Sequence, residues 1–274
     1  MRPFVWMVLS VYLTVSAADT NATFKDSNLE TNIRTFINGA DPAKALTQTQ
    51  LEHVYLVSAS NKGIRDLAGL EKCPNLNTIY LSGSEVSDLT PLSKLANLEQ
   101  LTISGGKVRD LTPLAGLTHL HYLDLSLNQI TDLAPLANLK ELQTLNLSNN
   151  AITQIEPLKG LTSLQSLYID GNKVADLTPV AELKSLQILS AKENRLSDLT
   201  PLASLTSWRA LYLDKNQVSD LTPLVAMVQP DRQSVKGVTP FWIVSLRGNP
   251  LSDIARSRDL PELQKRTFDL LTDR

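Results

Sequence analysis

Cysteine is almost absent from this chain: Cys73 is the single one in 274 residues. No intrachain disulfide is therefore possible, even in an oxidising compartment, and stability has to come from packing. Cys73 stands in Leu70-Glu-Lys-Cys73-Pro-Asn-Leu76 with no His or helix start nearby to lower its pKa. Its environment is that of a small buried hydrophobe, not of a reactive thiol. Histidine is nearly as scarce, with only His53, His119 and His121. No run of Lys or Arg occurs and the formal net charge is −2, which argues against nucleic acid or an anionic membrane surface as the main partner. The D-x-D-x-D-G calcium loop is missing, and the carboxy end, Phe268-Asp-Leu-Leu-Thr-Asp-Arg274, carries no hydrophobic tail.

A hydrophobic content of 42% with 20% charged residues is ordinary for a soluble, ordered chain with a substantial core. The first stretch has an early Arg2, an apolar segment and the small residues Ala17 and Ala18 at its end, the pattern of a secretory signal peptide over residues 1–18. The apolar part is too short to span a bilayer, and Asp19 rather than a basic flank follows it. Cleavage after Ala17 or Ala18 removes Arg2 and leaves a net charge of −3, in an exported protein, secreted or periplasmic, with no membrane insertion after cleavage. Residues 19–50 form an amino-terminal cap. Leu29, Ile33, Phe36 and Ile37 recur at helical spacing, Gly39 stops that helix, and Asp41-Pro42 opens a second short segment carrying Leu46 and Leu51.

Over residues 51–253 a 22-residue period takes hold. Steps of 22 from Asp66 land on Asp88, Asp110, Asp132, Gln154, Asp176, Asp198 and Asp220, each preceded two residues earlier by Ile, Val or Leu. The phrase Leu120-His-Tyr-Leu123-Asp-Leu125-Ser-Leu-Asn128 matches L-x-x-L-x-L-x-x-N, the signature of leucine-rich repeats, each giving one short strand and a return segment. The inward pairs are Val54/Leu56, Ile79/Leu81, Leu101/Ile103, Leu123/Leu125, Leu145/Leu147, Leu167/Ile169, Leu189/Ala191, Leu211/Leu213 and Val244/Leu246. The expected fold is an α/β solenoid: an arc with one parallel sheet of about nine strands, roughly 38 Å long, on the concave face. Each return carries a Leu-Thr-Pro-Leu-like phrase, in which Thr90, Thr112, Thr178, Thr200 and Thr222 cap a short helical turn. Asn128, Asn150, Asn172, Asn194, Asn216 and Asn249 tie the turn below the strand. The first three repeats have Ala59, Ser84 and Gly106 there instead, and the first repeat reads as three residues longer, so a looser turn is expected on that side. The step from Asn216 to Asn249 holds an insertion, about 228–238. Trp208 takes a first-leucine position in the core, and residues 254–274, with Ile254, Leu260, Leu263, Phe268 and Leu271, read as a closing helical cap.

The 22-residue unit with Asn-x-Ile-x-Asp-Leu-x-Pro-Leu, the helical cap before it and the exported start resemble internalin-type leucine-rich repeat proteins of bacteria, over about residues 24–253. The resemblance implies a concave face that grips a partner protein, and recognition in place of catalysis. The chain shows neither the Leu-Pro-x-Thr-Gly sorting signal nor the immunoglobulin-like domain that commonly follows such repeats, so a host-cell invasion role is not implied.

Specificity in such a fold belongs to the outward strand positions. Outside the signal segment all five tyrosines, Tyr55, Tyr80, Tyr122, Tyr168 and Tyr212, fall there on the template, with Asp124, Asp170, Asp214, Lys192, Trp242 and Arg247 nearby. Tyr and Trp dominate interface hot spots because they bury much area at small entropic cost. The expected binding surface for a protein ligand, or a glycan as the other option, is therefore this set, with its footprint on the carboxy-terminal half from Tyr168 to Trp242. No cofactor is called for. His53 and His121 are three strands, roughly 14 Å, apart, too far to share a metal. The aspartates recur once per coil at a turn, which is backbone capping and not acid/base chemistry, so the chain is not read as an enzyme. A monomeric recognition module is the leading expectation, and a structural, envelope-associated scaffold without a dedicated partner is its alternative.

Overall fold

The computed structural model describes residues 23–37, 41, 43–228, 242–265, 267 and 269–273. The expected signal segment, Gly39, Pro42 and most of the 228–238 insertion lie outside them. Ten three-residue strands form one parallel sheet in sequence order: β1 Leu56–Ser58, β2 Thr78–Tyr80, β3 Gln100–Thr102, β4 Tyr122–Asp124, β5 Thr144–Asn146, β6 Ser166–Tyr168, β7 Ile188–Ser190, β8 Ala210–Tyr212, β9 Ile243–Ser245 and β10 Asp269–Leu271. Each strand is paired one full repeat from the next, Leu123 facing Leu101 and Leu145. Every expected inward pair from Ile79/Leu81 to Val244/Leu246 is buried.

The first coil differs from expectation. Val57, not Val54, lies opposite Ile79, so the spacing is the same 22 residues as elsewhere and the first repeat is not longer. Val57 and Ala59 are its buried inward pair, Leu56 is half-buried, and Lys62 takes the place assigned to Ala59 in the asparagine column. Val54 is buried as the first apolar residue of the coil. Val-x-Leu over 54–56 and Val-x-Ala over 57–59 both alternate, and only the pairing with β2 separates them.

The amino-terminal cap is α1 Ser27–Thr35, which buries Leu29 and Ile33 against the first coil, and α2 Gln48–Leu51. Asp26 caps α1 by accepting from the backbone N–H of Asn28 and Leu29, and its second oxygen accepts from Arg65 N at 2.7 Å, joining cap to coil. Burial raises the Asp26 pKa, but four backbone donors outweigh it and hold the carboxyl below its ordinary value. The second helix begins after Thr47, whose capping box with Gln50 supplies the start.

Every return from the second repeat to the eighth starts its helical turn at the predicted phrase, as 3-10 turns such as Thr90–Leu92 and Thr112–Leu114 and as α3 Thr222–Met227. The threonines are the first residues of these turns and not their caps. The acceptor is the aspartate two residues earlier: Asp88, Asp110, Asp176, Asp198 and Asp220 each accept from the Thr N–H at 2.7 to 2.9 Å. Thr hydroxyls, then these N–H groups, lower the pKa of Asp88, Asp110, Asp176 and Asp220.

The carboxy-terminal cap is helical and then extended. A π-helical turn, Ala255–Asp259, runs into α4 Leu260–Gln264, with Pro261 in the first turn of α4. Proline has no N–H for the preceding turn, and a widened turn accommodates that loss. The chain then returns as β10, a tenth strand beyond the nine expected, parallel to β9. Cys73 and Trp208 are both fully buried, and burial, reinforced by the Glu71 charge, pushes the Cys73 thiol up to about 12.

Candidate functional site

Strand alternation divides each coil into inward residues and an open face made of the first and third strand positions, with a rim position two residues further on. Tyr122 occupies a first position, Tyr80, Tyr168 and Tyr212 third positions, and all four are half-buried on that face. Tyr55 does not belong to it: it lies just ahead of β1, 52% exposed, lining a depression of about 680 Å³ with Phe36, Ile37 and His53 of the cap region. Trp242 is a clearer correction. It is fully buried, because it lies two residues before Val244 and so shares the inward parity of Val244 and Leu246.

The tyrosines fall into two environments. Tyr122, on β4, lies two strands from Tyr80 on β2 and two from Tyr168 on β6, within electrostatic reach of both. Burial pushes the Tyr122 phenol above its ordinary value, and the Asp124 carboxylate and the Tyr80 and Tyr168 hydroxyls add to the effect. A phenol so placed keeps its proton and can donate it to an incoming acceptor. Tyr80 donates from its hydroxyl to Gln100 Oε1 of the next strand. Tyr212 stands apart, with Lys192 Nζ 4.8 Å from its ring centre, so one ring face is covered by a cation.

The aspartates expected beside the tyrosines are largely used within the fold. Asp170 accepts from Ser190 Oγ at 2.7 and 2.9 Å and from Lys192 N at 2.7 Å. Asp214 repeats the arrangement with Ser245 Oγ and with Arg247 N at 2.8 Å. Both bind one coil to the next. Asp124 accepts from Ser126 N at 2.9 Å and from Asn146 Nδ2 at 3.1 Å. The signal was present in the sequence: the Asp170 carboxylate is followed 20 residues later by Ser190, on the neighbouring strand's third position. Arg247 is exposed at the rim.

Sequence reasoning passed over two features. His119 Nδ1 and His121 Nε2 both approach Glu141 Oε2, at 3.2 and 3.7 Å, on the loop edge before the strands. Leu127 is 56% exposed on the rim with a positive φ of 57°. Among the described residues no group of three His, Cys, Asp or Glu side chains is arranged to hold a metal ion, and no helix is long and apolar enough to cross a membrane.

The repeat geometry has close counterparts. A family model described as Leucine Rich repeats (2 copies) matches residues 96–138, 140–182 and 184–226. No curated protein matches the chain. Among solved structures, internalin C2 of Listeria monocytogenes is 37% identical, with a TM-score of 0.77 over 84% of this chain and 99% of that one. Internalin F of the same organism is 28% identical, with a TM-score of 0.69 over 91% of this chain and 77% of that one. A leucine-rich repeat protein of Leptospira interrogans, 20% identical with a TM-score of 0.61 over 82% of this chain and 62% of that one, shares the fold. Identity at this level across nearly the whole of internalin C2, with the shared fold, places the chain in the internalin family of bacterial leucine-rich repeat proteins.

Proposed function

We propose that this is an exported recognition module that binds a protein partner through the open, tyrosine-bearing face of its sheet. The observation that carries the reading is Tyr122, a half-buried phenol flanked two strands away on either side by the half-buried Tyr80 and Tyr168, on a face with few large aliphatic side chains. Rigid aromatic rings with a polar tip are what protein interfaces concentrate at their energetic centres. The expected carboxy-terminal footprint moves toward the middle of the sheet, because Trp242 is buried, Asp170 and Asp214 are bonded to the next coil, and Tyr212 is partly covered by Lys192. Export rests on the apolar segment of residues 1–18. Nothing in the reading needs a cofactor, and the module acts as a monomer.

The test is capture of envelope and extracellular proteins by the mature chain, alongside the variant Tyr122→Ala/Tyr168→Ala. A saturable partner whose affinity drops at least tenfold in the variant is expected. If no saturable partner emerges, or if the variant binds within twofold of the parent, the face is a scaffold surface and the proposal fails.

A further inference from the structure

One residue of the rim combines a left-handed backbone with an exposed apolar side chain. The rim turn of each coil places one residue in the left-handed region, and the positions 61, 83, 105, 127, 149, 171, 193, 215 and 248 all have φ between 54° and 75°. Glycine or asparagine, which tolerate that backbone, fill six of them. Glu193 and Lys215 are exceptions that join in an ion pair at 2.6 Å. Leu127 is the third exception. Its φ is 57°, its side chain is 56% exposed, and it stands between the low Gly105 and Asn149 of the neighbouring coils.

The surroundings give the kind of contact it would make. The rim position beside it holds only serine over five consecutive coils, Ser60, Ser82, Ser104, Ser126 and Ser148, and becomes charged from Asp170 onward. Charge is depleted at the centres of protein interfaces, where a desolvated ion would be expensive. Leu127 also lies in the coil that carries Tyr122, three residues past the last strand position of that coil, at the edge of the open face.

We infer that Leu127 is a specificity contact: an apolar knob at the edge of the tyrosine face that enters a recess on an uncharged patch of the partner protein. This rests on the recognition reading above. A strained, solvent-exposed leucine is retained at such a turn when the bound state, not the free fold, uses it.

The experiment compares the full mature chain with Leu127→Gly and Leu127→Asn. In the free protein Leu127→Gly should raise the melting temperature by a few degrees, because the turn is relieved of its side chain; a lower melting temperature would show that Leu127 supports the fold and overturn the inference. The binding probe is the protein that the parent chain retains saturably from envelope and extracellular proteins, measured in parallel on Tyr122→Ala/Tyr168→Ala. Both Leu127 variants should weaken it at least tenfold, equally at low and high salt. If they bind it within twofold while the tyrosine variant still fails, Leu127 is no contact and the tyrosine reading stands. If the tyrosine variant also binds normally, the recognition reading itself fails and takes this inference with it. Sedimentation of the parent chain checks the remaining occupant: self-association lost in Leu127→Gly would assign the knob to a second copy and overturn the assignment to a foreign partner.

Discussion

The two ends of the stack are built from the same strand and held by different means. From the fourth coil onward one asparagine per turn is shared between coils: Asn172 donates from Nδ2 to the carbonyls of Leu147 and Ile169 and accepts from Ile152 N, all at 3.0 Å. In the first three coils that position holds Lys62, Ser84 and Gly106. Ser84 Oγ is buried with no partner, and a side chain at Gly106 would run into Val86 O and Asn128 Oδ1 at 2.8 and 2.9 Å. There the coils are joined by the Asp26 cap and by exposed pairs such as Arg65–Glu85–Lys107. The open face divides in a related way. Its carboxy-terminal aspartates, Asp170 and Asp214, are spent on joining coils, and Tyr80 likewise bonds to Gln100 of the next coil, whereas Tyr122 and Tyr168 stay half-exposed on the face. Polar residues that look functional by type are structural wherever a neighbouring coil supplies the partner.

Replacing Asn172 by Ala breaks that comparison at its strongest point. The buried Ile152 N–H loses its acceptor, while the Leu147 and Ile169 carbonyls each lose one of two donors and keep Asn150 and Asn194; with three hydrogen bonds gone, thermal unfolding should show a loss of about 3 kcal/mol. Asp214→Ala should cost about 2 kcal/mol through the lost Ser245 and Arg247 bonds, while affinity for the captured partner stays within threefold. A large affinity loss with unchanged stability would return the footprint to the carboxy-terminal half. Asp26→Ala should cost about 1 kcal/mol by uncapping α1. Because the folded Asp26 pKa is depressed, its contribution is present above the ordinary aspartate value of about 3.9 and is lost as pH falls through the lower folded value. Acid melts of parent and variant should therefore converge below about pH 3.9. Ser84→Ala is the smallest effect, within about 0.5 kcal/mol of the parent, since its hydroxyl has nothing to lose.

The fold was legible because a fixed period assigns each residue a column, and a column determines burial. Leu123, Asn128 and Asp132 follow from position alone. Phase errors arose where the period has no earlier coil to set it, at Val54 to Ala59, and where the insertion interrupts it, at Trp242. Alternation back from Val244 would have turned Trp242 inward. The tenth strand was hidden because Asp269–Leu271 has no asparagine turn or Pro-Leu return to mark it. The site was less legible for a different reason. Whether an outward aspartate is free depends on the residue one coil away, Ser190 for Asp170 and Ser245 for Asp214, and a conformational anomaly such as Leu127 appears only when φ is known.

The central claim is that recognition belongs to the middle of the open face and not to its carboxy-terminal end. The direct measurement is the affinity of the captured partner for two double variants, Tyr122→Ala/Tyr168→Ala and Tyr212→Ala/Asp214→Ala, with melting temperatures taken alongside. The first should lose at least tenfold in affinity with little change in melting temperature, and the second should lose stability but bind within threefold of the parent. The reverse pattern, with tight binding by the first variant and loss by the second, would contradict the account.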